Sequence, residues 1–575
     1  MSLDIEVSKD GYKILRLEFQ GKKRYLGSKY NQKREIEKFL DSFGEISEKD
    51  NFIVFGLSFC EHIKELIGLA SASSNILIIE HNAEVFEYCR NDFDLQNIMN
   101  NPRITVTNNE NGINEFFKHH INEGNINNLK VSQYCQYLKL FQDELQEKYL
   151  CVKNNITNIT LSRNTVINTS SIVLDNFLGN IKYMAEYSEV NVLKDKYKNI
   201  PAVIVSAGPS LSKNIDELKN KDNILIFSGG RTLKSLMNKG INPSCVGVVD
   251  PGNVAVKLVE GYIDKVKCPL FFNDCTPKQI IEQHKGNKCF AVQNQFVSEA
   301  LGVKVPSLYG GGSIAHSLTL LAVYMGCNPI ILVGQDLAYT NDKEHDISAI
   351  GSWKKTNDCY KLDTDLYVED IYGKPVRTSI QLNSYRVNFE RIIQENKHVK
   401  FINATEGGAK IKGVQNETLK QVLYSLKNNK VIPMDNYLCS NINRKDKIIK
   451  KLNENLEQFK MCINMCEKGE KLIKEIKFNN NLKDKNKLYK SQLGLENLHK
   501  DIQKSVMNLQ LLNAELSKVI YEVENREDFT IYMKDNQKTI FNKKIKKIEV
   551  LYMGIKKVLV KNYDKIEWVI DNIKN

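Results

Sequence analysis

Hydrophobic residues recur along the chain in two patterns, and each pattern predicts a different architecture. Between residues 200 and 413, short apolar runs alternate with polar stretches long enough for helices. Uninterrupted apolar runs of this length are typical of parallel strands that helices cover on both faces. Most of them end in Gly, Ser, Asn or Asp, in the order PAVIVSAG, NILIFSG, CVGVVD, CPLFFND, KCFAV, PIILVGQD and HVKFINAT. After about residue 415, apolar residues recur at steps of three and four, which predicts amphipathic helices in a bundle.

The first part of the chain predicts a smaller α/β domain. The alternating segment YKILRLEFQGKKRYLGS predicts a hairpin with its turn at Gly21. NFIVFGLSFCEHIKELIGL then predicts a strand, a turn and a helix, and the next strand ends at Glu80, in the outline of a dinucleotide or methyl-donor site. Only Gly56 stands where three glycines would let the backbone approach a phosphate, so we interpret this region as Rossmann-like but not nucleotide-binding. Residues from about 110 to 195 predict mainly helices.

Together these patterns predict an α/β protein of three domains. Residues 1–195 are predicted to form an N-terminal α/β domain, residues 196–415 a central Rossmann-like domain with a mostly parallel sheet, and residues 416–575 an all-α bundle. Polar residues at the C-termini of parallel strands lie along one edge of the sheet, so the chemistry is expected at that edge of the central domain. Within the bundle, the polar stretch FNNNLKDKNK predicts a loop between two helices.

The charge of the chain is concentrated near its C-terminus. The formal net charge is +12, and residues 441–575 contain 29 Lys and Arg against 19 Asp and Glu. Basic charge of this kind attracts nucleic acid, anionic membranes or acidic proteins. No aromatic interleaving or nucleic-acid motif accompanies the lysines, so the pattern favours a solvated helical surface and no nucleic-acid partner.

The remaining composition argues against a membrane protein, a secreted protein and a metal-binding protein. The sequence has no run of eighteen apolar residues and no secretory signal pattern, so we expect a soluble, cytoplasmic protein without stable membrane insertion. The thirteen cysteines include no CxxC pair, and Cys462 and Cys466 lie four apart in a helical pattern, as two buried thiols would. The nine histidines are scattered without zinc-ligand spacing, so we predict no metal site.

The apolar run PAVIVSAG leads directly into a turn that suits an anion. Gly208 can adopt backbone angles closed to other residues, Pro209 presets the first helical position, and Ser210 adds a hydroxyl near the helix start. A helix start carries partial positive charge and exposed N–H groups, which favours binding of a phosphate. A purely structural connection between strand and helix is the alternative.

A second glycine-rich corner opens the segment YGGGSIAHSLTLLAVYMG. Three glycines, including Gly311 and Gly312, precede Ser313 and an apolar helix, so the turn presents many N–H groups. A Gly-Gly-Gly run is costly in chain entropy, so we expect something to approach its backbone closely. His316 lies one turn into the helix, where it either reaches a ligand or packs against a neighbour.

Further polar residues follow the predicted strands at the same edge of the sheet. They are Gly229 and Arg231 after NILIFS, Asp250 after CVGVV, Asn273 after CPLFF, and Asp336, Tyr339 and His345 after PIILVG. Several carboxylates at strand ends, together with two phosphate-type turns, are hard to explain by packing alone. They predict a nucleotide-dependent site.

Five motifs in one order resemble the motility accessory factor (Maf) family of flagellin glycosyltransferases. They are SAGPSL, FSGG, GVVDPG, GGGSIAHSLTLLAVYMGCNPIILVGQDLAYT with His345 following, and NATEGGAKIKG. The resemblance implies transfer of a nonulosonic acid, of the sialic, pseudaminic or legionaminic type, from its CMP-activated form to Ser or Thr of flagellin in the cytoplasm. SAGPSL is also similar to the GNGPSL opening of bacterial sialyltransferases, although Ala207 replaces the Asn.

The resemblance also implies roles for the candidate residues. CMP leaves as a phosphate monoester, so the turns Gly208–Ser210 and Gly310–Ser313 are expected to stabilise negative charge without a metal or a cofactor. His345 is the first candidate for the base that takes the proton of the acceptor hydroxyl, with Asp336 either orienting it or acting as the base instead. The candidates for contact with the sugar carboxylate or the phosphate are Arg231, Lys374 and Arg377.

One further motif imitates a metal site of other glycosyltransferases. The sequence DTD, Asp363 to Asp365, matches the metal-binding DxD pattern, but it lies outside any predicted strand end. We interpret it as a loop sequence without a metal.

Two other functions stay open at this point. An archaeal pterin diphosphokinase resembles the same central fold, and such an enzyme would transfer diphosphate from ATP with magnesium. It would need no large accessory domains, so the long flanking regions favour a macromolecular acceptor such as flagellin, alone or with its export chaperone. A catalytically silent nucleotide-binding adaptor is the third possibility, and it would bind CMP without releasing it from a donor sugar.

Overall fold

The structure is a computed structural model, and its helices and strands divide between two compact units. It describes residues 3–19, 22–135, 137–293, 295–349, 359, 361–362, 365–427, 430–482 and 484–574. The first unit comprises residues 1–168, 466–499 and 516–556, and the second unit comprises residues 169–465, 500–515 and 557–575.

The first unit contains two sheets. An antiparallel sheet joins β1 (Leu3–Val7), β2 (Lys13–Phe19) and β3 (Lys22–Leu26), which confirms the predicted hairpin, although Gly21 itself lies outside the described residues. A parallel sheet in the order β6-β5-β4-β7 joins β4 (Asn51–Phe55), β5 (Ile76–Ile79), β6 (Ile104–Thr107) and β7 (Leu129–Gln133). The last of these strands interrupts a region that the sequence predicted as mainly helical.

Helices alternate with these strands along the chain, and the last of them extends past the residues of the first unit. They are α1 (Gln32–Asp41), α2 (Glu61–Leu69), α3 (Ala83–Asn91), α4 (Phe93–Met99), α5 (Glu110–His120), α6 (Tyr137–Leu140) and the long α7 (Gln142–Glu186). The inner strands β4 and β5 are buried throughout, as their uninterrupted apolar sequence predicts.

A tyrosine of the chain fills the crevice at the strand ends of the Rossmann-like sheet. The ring of Tyr137 lies against Gly56, where an added Cβ would come within 2.6 Å of it. The Tyr137 hydroxyl donates to the fully buried carboxylate of Glu80 at 2.6 Å, and that carboxylate also accepts the N–H groups of Leu57 and Asn82. Burial raises the pKa of Glu80 against the opposing effect of these hydrogen bonds. Both residues that outlined a dinucleotide site are therefore engaged within the protein.

The second unit is built on a nine-stranded sheet of parallel pairings. Its order is β18-β17-β14-β9-β10-β11-β12-β13-β8. The strands are β8 (Ser188–Glu189), β9 (Ala202–Val205), β10 (Leu225–Gly229), β11 (Cys245–Val248), β12 (Leu270–Phe272), β13 (Lys288–Phe290), β14 (Ile330–Val333), β17 (Phe401–Asn403) and β18 (Gln415–Asn416). The seven predicted apolar runs are all strands of this sheet, and β15 (Leu366–Glu369) pairs with β16 (Pro375–Thr378) in a separate antiparallel hairpin that the sequence did not predict.

Helices cover this sheet, and its strand order creates a switch point. The helices of this region are α8 (Gly230–Asn238), α9 (Asn253–Val259), α10 (Lys278–Gln283), α11 (Gln295–Leu301), α12 (Ile314–Tyr324), α13 (Ile380–Glu395) and α14 (Leu419–Ser425). From β9 the chain adds strands on one side through β10 to β13, and it then returns to place β14 on the other side of β9. In open α/β sheets, ligands bind outside the carboxyl ends of the strands at such a switch point.

Four helices follow at the C-terminal end, namely α15 (Lys445–Leu482), α16 (Lys485–Asn508), α17 (Asn513–Glu524) and α18 (Gln537–Lys574). The predicted loop FNNNLKDKNK is wrong at both ends, because α15 continues through Leu482 and α16 begins at Lys485. Within the first unit, residues of this region pack on the N-terminal sheets: Lys49 pairs with Glu524, and Asn127 donates to the Tyr521 hydroxyl at 2.8 Å.

Among the described residues, no helix is long and apolar enough to cross a membrane.

Candidate active site at the switch point

The corner after β9 is locked to the loop after β14 by a buried aspartate. The Asp336 carboxylate accepts the Ser210 hydroxyl at 2.7 Å and the Ser210 N–H at 3.2 Å on one oxygen, and the Thr340 hydroxyl at 2.7 Å on the other. Burial raises the pKa of Asp336, while these hydrogen bonds oppose the rise. Gly208 is required here because an added Cβ would lie 2.1 Å from the carboxylate oxygen.

The predicted α-helix start at Pro209 is wrong, because the segment continues as short 3-10 turns, Leu211–Lys213 and Ile215–Leu218. The N–H of Gly208 donates to the Gly334 carbonyl at 2.7 Å, and the N–H of Ser210 is held by Asp336. Because Pro209 has no N–H, this corner offers far fewer free donors to an anion than its sequence suggested.

The second glycine corner has the free donors that the first one lacks. Gly311 and Gly312 adopt φ angles of +127° and +80°, and Ser313 caps α12 by accepting the Ala315 N–H. Among the described residues, the N–H groups of Gly312, Ser313 and Ile314 donate to no other protein group. These donors, at the positive end of α12, form an anion-binding arrangement.

The N-terminus of α8 lies directly beside the N-terminus of α12. An added Cβ on Gly229, the residue that precedes α8, would come within 2.8 Å of the Ile314 side chain. Arg231 occupies the first turn of α8, where burial lowers the pKa of its guanidinium while Glu344 and Asp250 raise it. Two helix N-termini and one arginine are therefore brought together at the C-terminal edge of β10, in surroundings that favour an anionic group.

The loop after β14 places His345 next to the first corner. The N–H of Asp346 donates to the Ala207 carbonyl at 2.9 Å, so the neighbouring His345 is held at this edge of the sheet. His345 Nε2 lies 3.7 Å from Glu344 Oε1, and the His345 side chain is 22 % exposed. A partly exposed imidazole in this position is accessible to a substrate hydroxyl.

Tyr339 belongs to the same loop, but its immediate contacts are structural. Its N–H donates to the Arg377 carbonyl at 2.8 Å, and the Arg377 guanidinium stacks over its ring at 4.4 Å. Arg377 also pairs with Asp365 at 2.7 Å and with Asp342 at 3.0 Å. Asp365 is the last residue of the DTD motif and acts as a buried ion-pair partner, whereas the first two residues, 363 and 364, lie outside the described residues.

Asp250 and Asn273 follow β11 and β12 at the same edge. Asp250 is exposed and accepts the Gly252 N–H at 3.0 Å, and its charge also influences Arg231. Asn273 is buried, and its amide oxygen accepts the Cys275 N–H and the Thr276 hydroxyl. Asn273 lines a small cavity together with Tyr309, which belongs to the glycine corner.

His316 packs in the interior beneath the glycine corner. It is fully buried, its Nε2 lies 3.0 Å from the Tyr385 carbonyl, and burial lowers its pKa to about 4. The sequence left open whether His316 reaches a ligand or packs against a neighbour, and the structure favours packing. Across the described part of the chain, no group of three or more His, Cys, Asp or Glu side chains is arranged to hold a metal ion.

The structure thus brings nearly all of the predicted residues to one sheet edge, but it divides their roles. Asp336 and the Gly208–Ser210 corner are hydrogen-bonded to each other, whereas Arg231 and His345 are partly exposed at the same edge. Sequence reasoning missed Asp346, which anchors the His345 loop, and Gly408, whose added Cβ would lie 2.1 Å from the Asp336 carbonyl. The glycine pair in NATEGGAKIKG was the one signal for the second of these.

Comparisons with known proteins agree with this architecture. A family model described as 6-hydroxymethylpterin diphosphokinase MptE-like matches residues 175–342. The solved structure of a MAf glycosyltransferase from Magnetospirillum magneticum AMB-1 is similar with a TM-score of 0.54 at 14% sequence identity, over 100% of this chain and 93% of that chain. No curated protein matches the sequence.

These comparisons confirm the predicted fold class, a mixed α/β architecture with a large parallel sheet and a helical C-terminal region. The chain shares the fold of that glycosyltransferase along its whole length, and both findings are consistent with the resemblance to the Maf family.

Proposed function

We propose that this protein is a glycosyltransferase of the Maf type. The observation that carries the proposal is the pair of helix N-termini, α8 and α12, that meet beside Arg231 and the His345 loop at the switch point of the central sheet. An arrangement of this kind suits a nucleotide-activated donor whose leaving group is a phosphate. The similarity in fold to a MAf glycosyltransferase supports the same class of reaction.

We further propose that the donor is a CMP-activated nonulosonic acid and the acceptor is a Ser or Thr of flagellin, as the motif resemblance implies. The acceptor oxygen forms a bond to the anomeric carbon, and the bond from that carbon to the CMP phosphate oxygen breaks with its electron pair leaving on CMP. The free N–H groups of Gly312, Ser313 and Ile314, together with Arg231, stabilise the developing phosphate charge.

In this proposal His345 is the base that takes the proton of the acceptor hydroxyl. Asp336 is less suited to that role, because its two carboxylate oxygens already accept the Ser210 and Thr340 groups. Its place is to orient the loop that carries His345. The reaction then needs neither a metal nor a cofactor.

The acceptor partner is proposed to be flagellin, free or bound to its export chaperone, in the cytoplasm. Residues 441–575 contain 29 Lys and Arg against 19 Asp and Glu, so the C-terminal helices carry basic charge for an acidic acceptor surface. The donor requires no such surface, which leaves these helices available for a macromolecule.

The family match over residues 175–342 favours one alternative, an ATP-dependent diphosphotransferase acting on a pterin. That match covers the central sheet from the end of α7 to the loop after β14, and it includes both glycine corners. Such an enzyme would require magnesium with ATP. A silent nucleotide-binding adaptor would use the same edge without catalysis.

A ligand panel separates these functions. Thermal unfolding would be measured with CMP, CTP, ATP and GTP, each with and without magnesium, because a ligand that binds the native state raises the unfolding midpoint. Stabilisation by CMP supports the glycosyltransferase. Stabilisation only by ATP in the presence of magnesium supports the diphosphotransferase.

A transfer assay then separates the enzyme from the adaptor. CMP-nonulosonate and purified flagellin would be incubated with the wild-type protein and with His345→Ala, and the flagellin mass would be measured. We expect the sugar mass to appear on flagellin with the wild type, and at least about 100-fold more slowly with His345→Ala, which still binds CMP. CMP binding without any transfer by the wild type would leave the adaptor as the function.

A further inference from the structure

Two buried aspartates, Asp336 and Asp346, connect the two ends of the loop after β14 to the short segment 207–212 by hydrogen bonds. Asp336, at the start of the loop, holds Ser210, as described above. Asp346, ten residues later, holds the same segment at Ala207 and Ser212. Segment 207–212 and loop 336–346 are therefore joined at two points, and His345 lies next to the second of them.

The hydrogen bonds of Asp346 leave little freedom at this attachment. Its side chain is only 2 % exposed, and it accepts the Ser212 N–H at 2.9 Å, the Ser348 N–H at 2.9 Å and the Ser348 hydroxyl at 2.6 Å. Its N–H donates to the Ala207 carbonyl at 2.9 Å. The Ser348 hydroxyl lies 2.8 Å from that of Ser235, which extends the network to α8.

The loop between the two attachments includes strained backbone, and its middle is exposed. Leu337, Asn341 and Asp342 adopt left-handed φ angles of +52°, +53° and +56°, a region that costs free energy for residues other than glycine. Asn341, Asp342 and Lys343 are exposed, and polar contacts in the middle of the loop include the ion pair of Asp342 with Arg377. The Asp346 attachment is the one next to His345, so it restrains the backbone that carries the imidazole.

We propose that Asp346 is a positioning residue, which holds the His345 imidazole at the donor site through Ala207 and Ser212. This inference rests on the proposed function, in which His345 is the base. A base must lie within hydrogen-bond distance of the proton that it removes, and a displacement of about 1 Å can reduce the rate about 100-fold. Asp346 touches neither donor nor acceptor, so its effect passes through His345.

The kinetic test uses Asp346→Asn, with Asp264→Asn as the control at an exposed aspartate of the same unit. The amide cannot accept the Ser212 N–H and the two Ser348 groups together, so the attachment loosens while the size of the side chain is kept. We expect kcat for transfer to fall about 10-fold to 100-fold. The KM for the donor and the Kd for CMP are expected to stay within about twofold, because the α8 and α12 N-termini are untouched.

A double variant shows whether the loss passes through His345. Residues that act as a unit are not additive, so His345→Ala with Asp346→Asn should be no slower than His345→Ala alone. An unchanged kcat for Asp346→Asn, or a further 10-fold loss in the double variant, would overturn the proposal. Should Asp346→Asn fold poorly, Ser348→Ala removes one donor to the same carboxylate and is expected to lower kcat in the same direction.

Amide hydrogen exchange tests the attachment independently of any reaction. In Asp346→Asn, peptides covering residues 207–213 and 340–349 are expected to exchange about tenfold faster than in the wild type, and Asp264→Asn should leave them unchanged. Unchanged exchange in both peptides would contradict the attachment itself. If the wild type transfers no sugar while exchange still accelerates, the proposed function fails and the structural role of Asp346 stands.

Discussion

At the scale of single residues, the two glycine corners differ in what their N–H groups already bind. At the first corner, the donors of Gly208 and Ser210 are used by the protein, so this corner supports the site. At the second corner, the N–H groups of Gly312 and Ser313 donate to no group in the part of the chain that the structure describes. The anionic part of a ligand is therefore expected at the glycine corner and Arg231.

Arg231 provides the residue-scale prediction. Arg231→Gln removes a partly buried guanidinium from the meeting point of α8 and α12, and a hydrogen bond to a charged group contributes about 1.5–3 kcal/mol. The Kd for CMP, measured by calorimetry, should therefore increase at least tenfold. Lys234→Gln, three residues along the same helix, removes the same charge one turn away and should change the Kd less than about threefold. Equal effects of the two variants would show that Arg231 acts only through general charge.

The sequence could predict site residues that directly follow a strand. It could not predict residues whose role depends on a contact between segments far apart in the chain. Asp250, Asn273, Asp336 and His345 all follow apolar runs, so the general rule for parallel sheets placed them at one edge. Asp346 carried no such signal, because its partner Ser212 lies 134 residues away in the chain. The engagement of Asp336 by Ser210 was hidden for the same reason.

At the scale of elements, periodicity identified the inner strands of the two parallel sheets and missed the strands at their edges. The seven central runs form strands that are buried throughout, because helices cover both faces of the inner strands. Strand β7 lies at the edge of its sheet, and its sequence LKVSQ is only partly buried, so it carries no apolar run. Strands β8 and β18 are two residues long, which is too short for any period.

The contact between the β9 corner and the β14 loop gives the prediction for elements. In Gly208→Ala, the new Cβ would lie 2.1 Å from Asp336 Oδ1 and 2.5 Å from the Gly334 carbonyl oxygen, so both loops must move. Such overpacking should lower the free energy of unfolding by about 1–3 kcal/mol, measured with urea.

Gly252→Ala is the matched control at the same sheet edge. Its added Cβ would lie 3.4 Å from the nearest atom, Asp250 Oδ1, and the residue has a negative φ. We expect a loss of less than about 1 kcal/mol, from the weaker preference of alanine for a helix N-cap. Equal losses for the two variants would mean that the corner and the loop are not tightly joined.

At the scale of the whole molecule, the C-terminal residues contribute to both compact units. Residues 466–499 and 516–556 belong to the first unit, whereas residues 500–515 and 557–575 belong to the second. The sequence predicted helices here correctly, because amphipathic spacing is local. It could not show which unit each stretch joins, because that depends on contacts such as the pair between Lys49 and Glu524, which lie far apart in the chain.

Buried histidines in both units predict that the whole molecule is sensitive to acid. Burial lowers the pKa of His62 to about 3, and it lowers the pKa of His284 and His316 to about 4. Each is neutral in the native state, and each gains a proton on unfolding near its ordinary pKa of about 6.5. The unfolded state therefore binds more protons below pH 6.5, so stability is full above that pH and is lost as the pH falls toward 4.

The loss should appear as a fall in the thermal unfolding midpoint between pH 7 and pH 4.5. His316→Gln removes one of the three buried imidazoles, so the decline with pH should become shallower in that variant. His119→Gln, at an exposed position, should leave the decline unchanged. A midpoint that is constant over this range would contradict the assignment of neutral buried imidazoles.

The ring of Tyr137, which lies against Gly56, also suggests that a small molecule could restore the stability of a variant of the first unit. Tyr137→Ala would leave a cavity shaped like a phenol, with the Glu80 carboxylate and the Leu57 N–H at its polar end. Loss of a buried ring should cost about 3–5 kcal/mol. A small aromatic alcohol such as p-cresol should then bind in the cavity and raise the unfolding midpoint of this variant, but not that of Tyr137→Phe. The position of the side chain that fills this crevice would thereby become a site at which a small molecule controls the stability of the first unit.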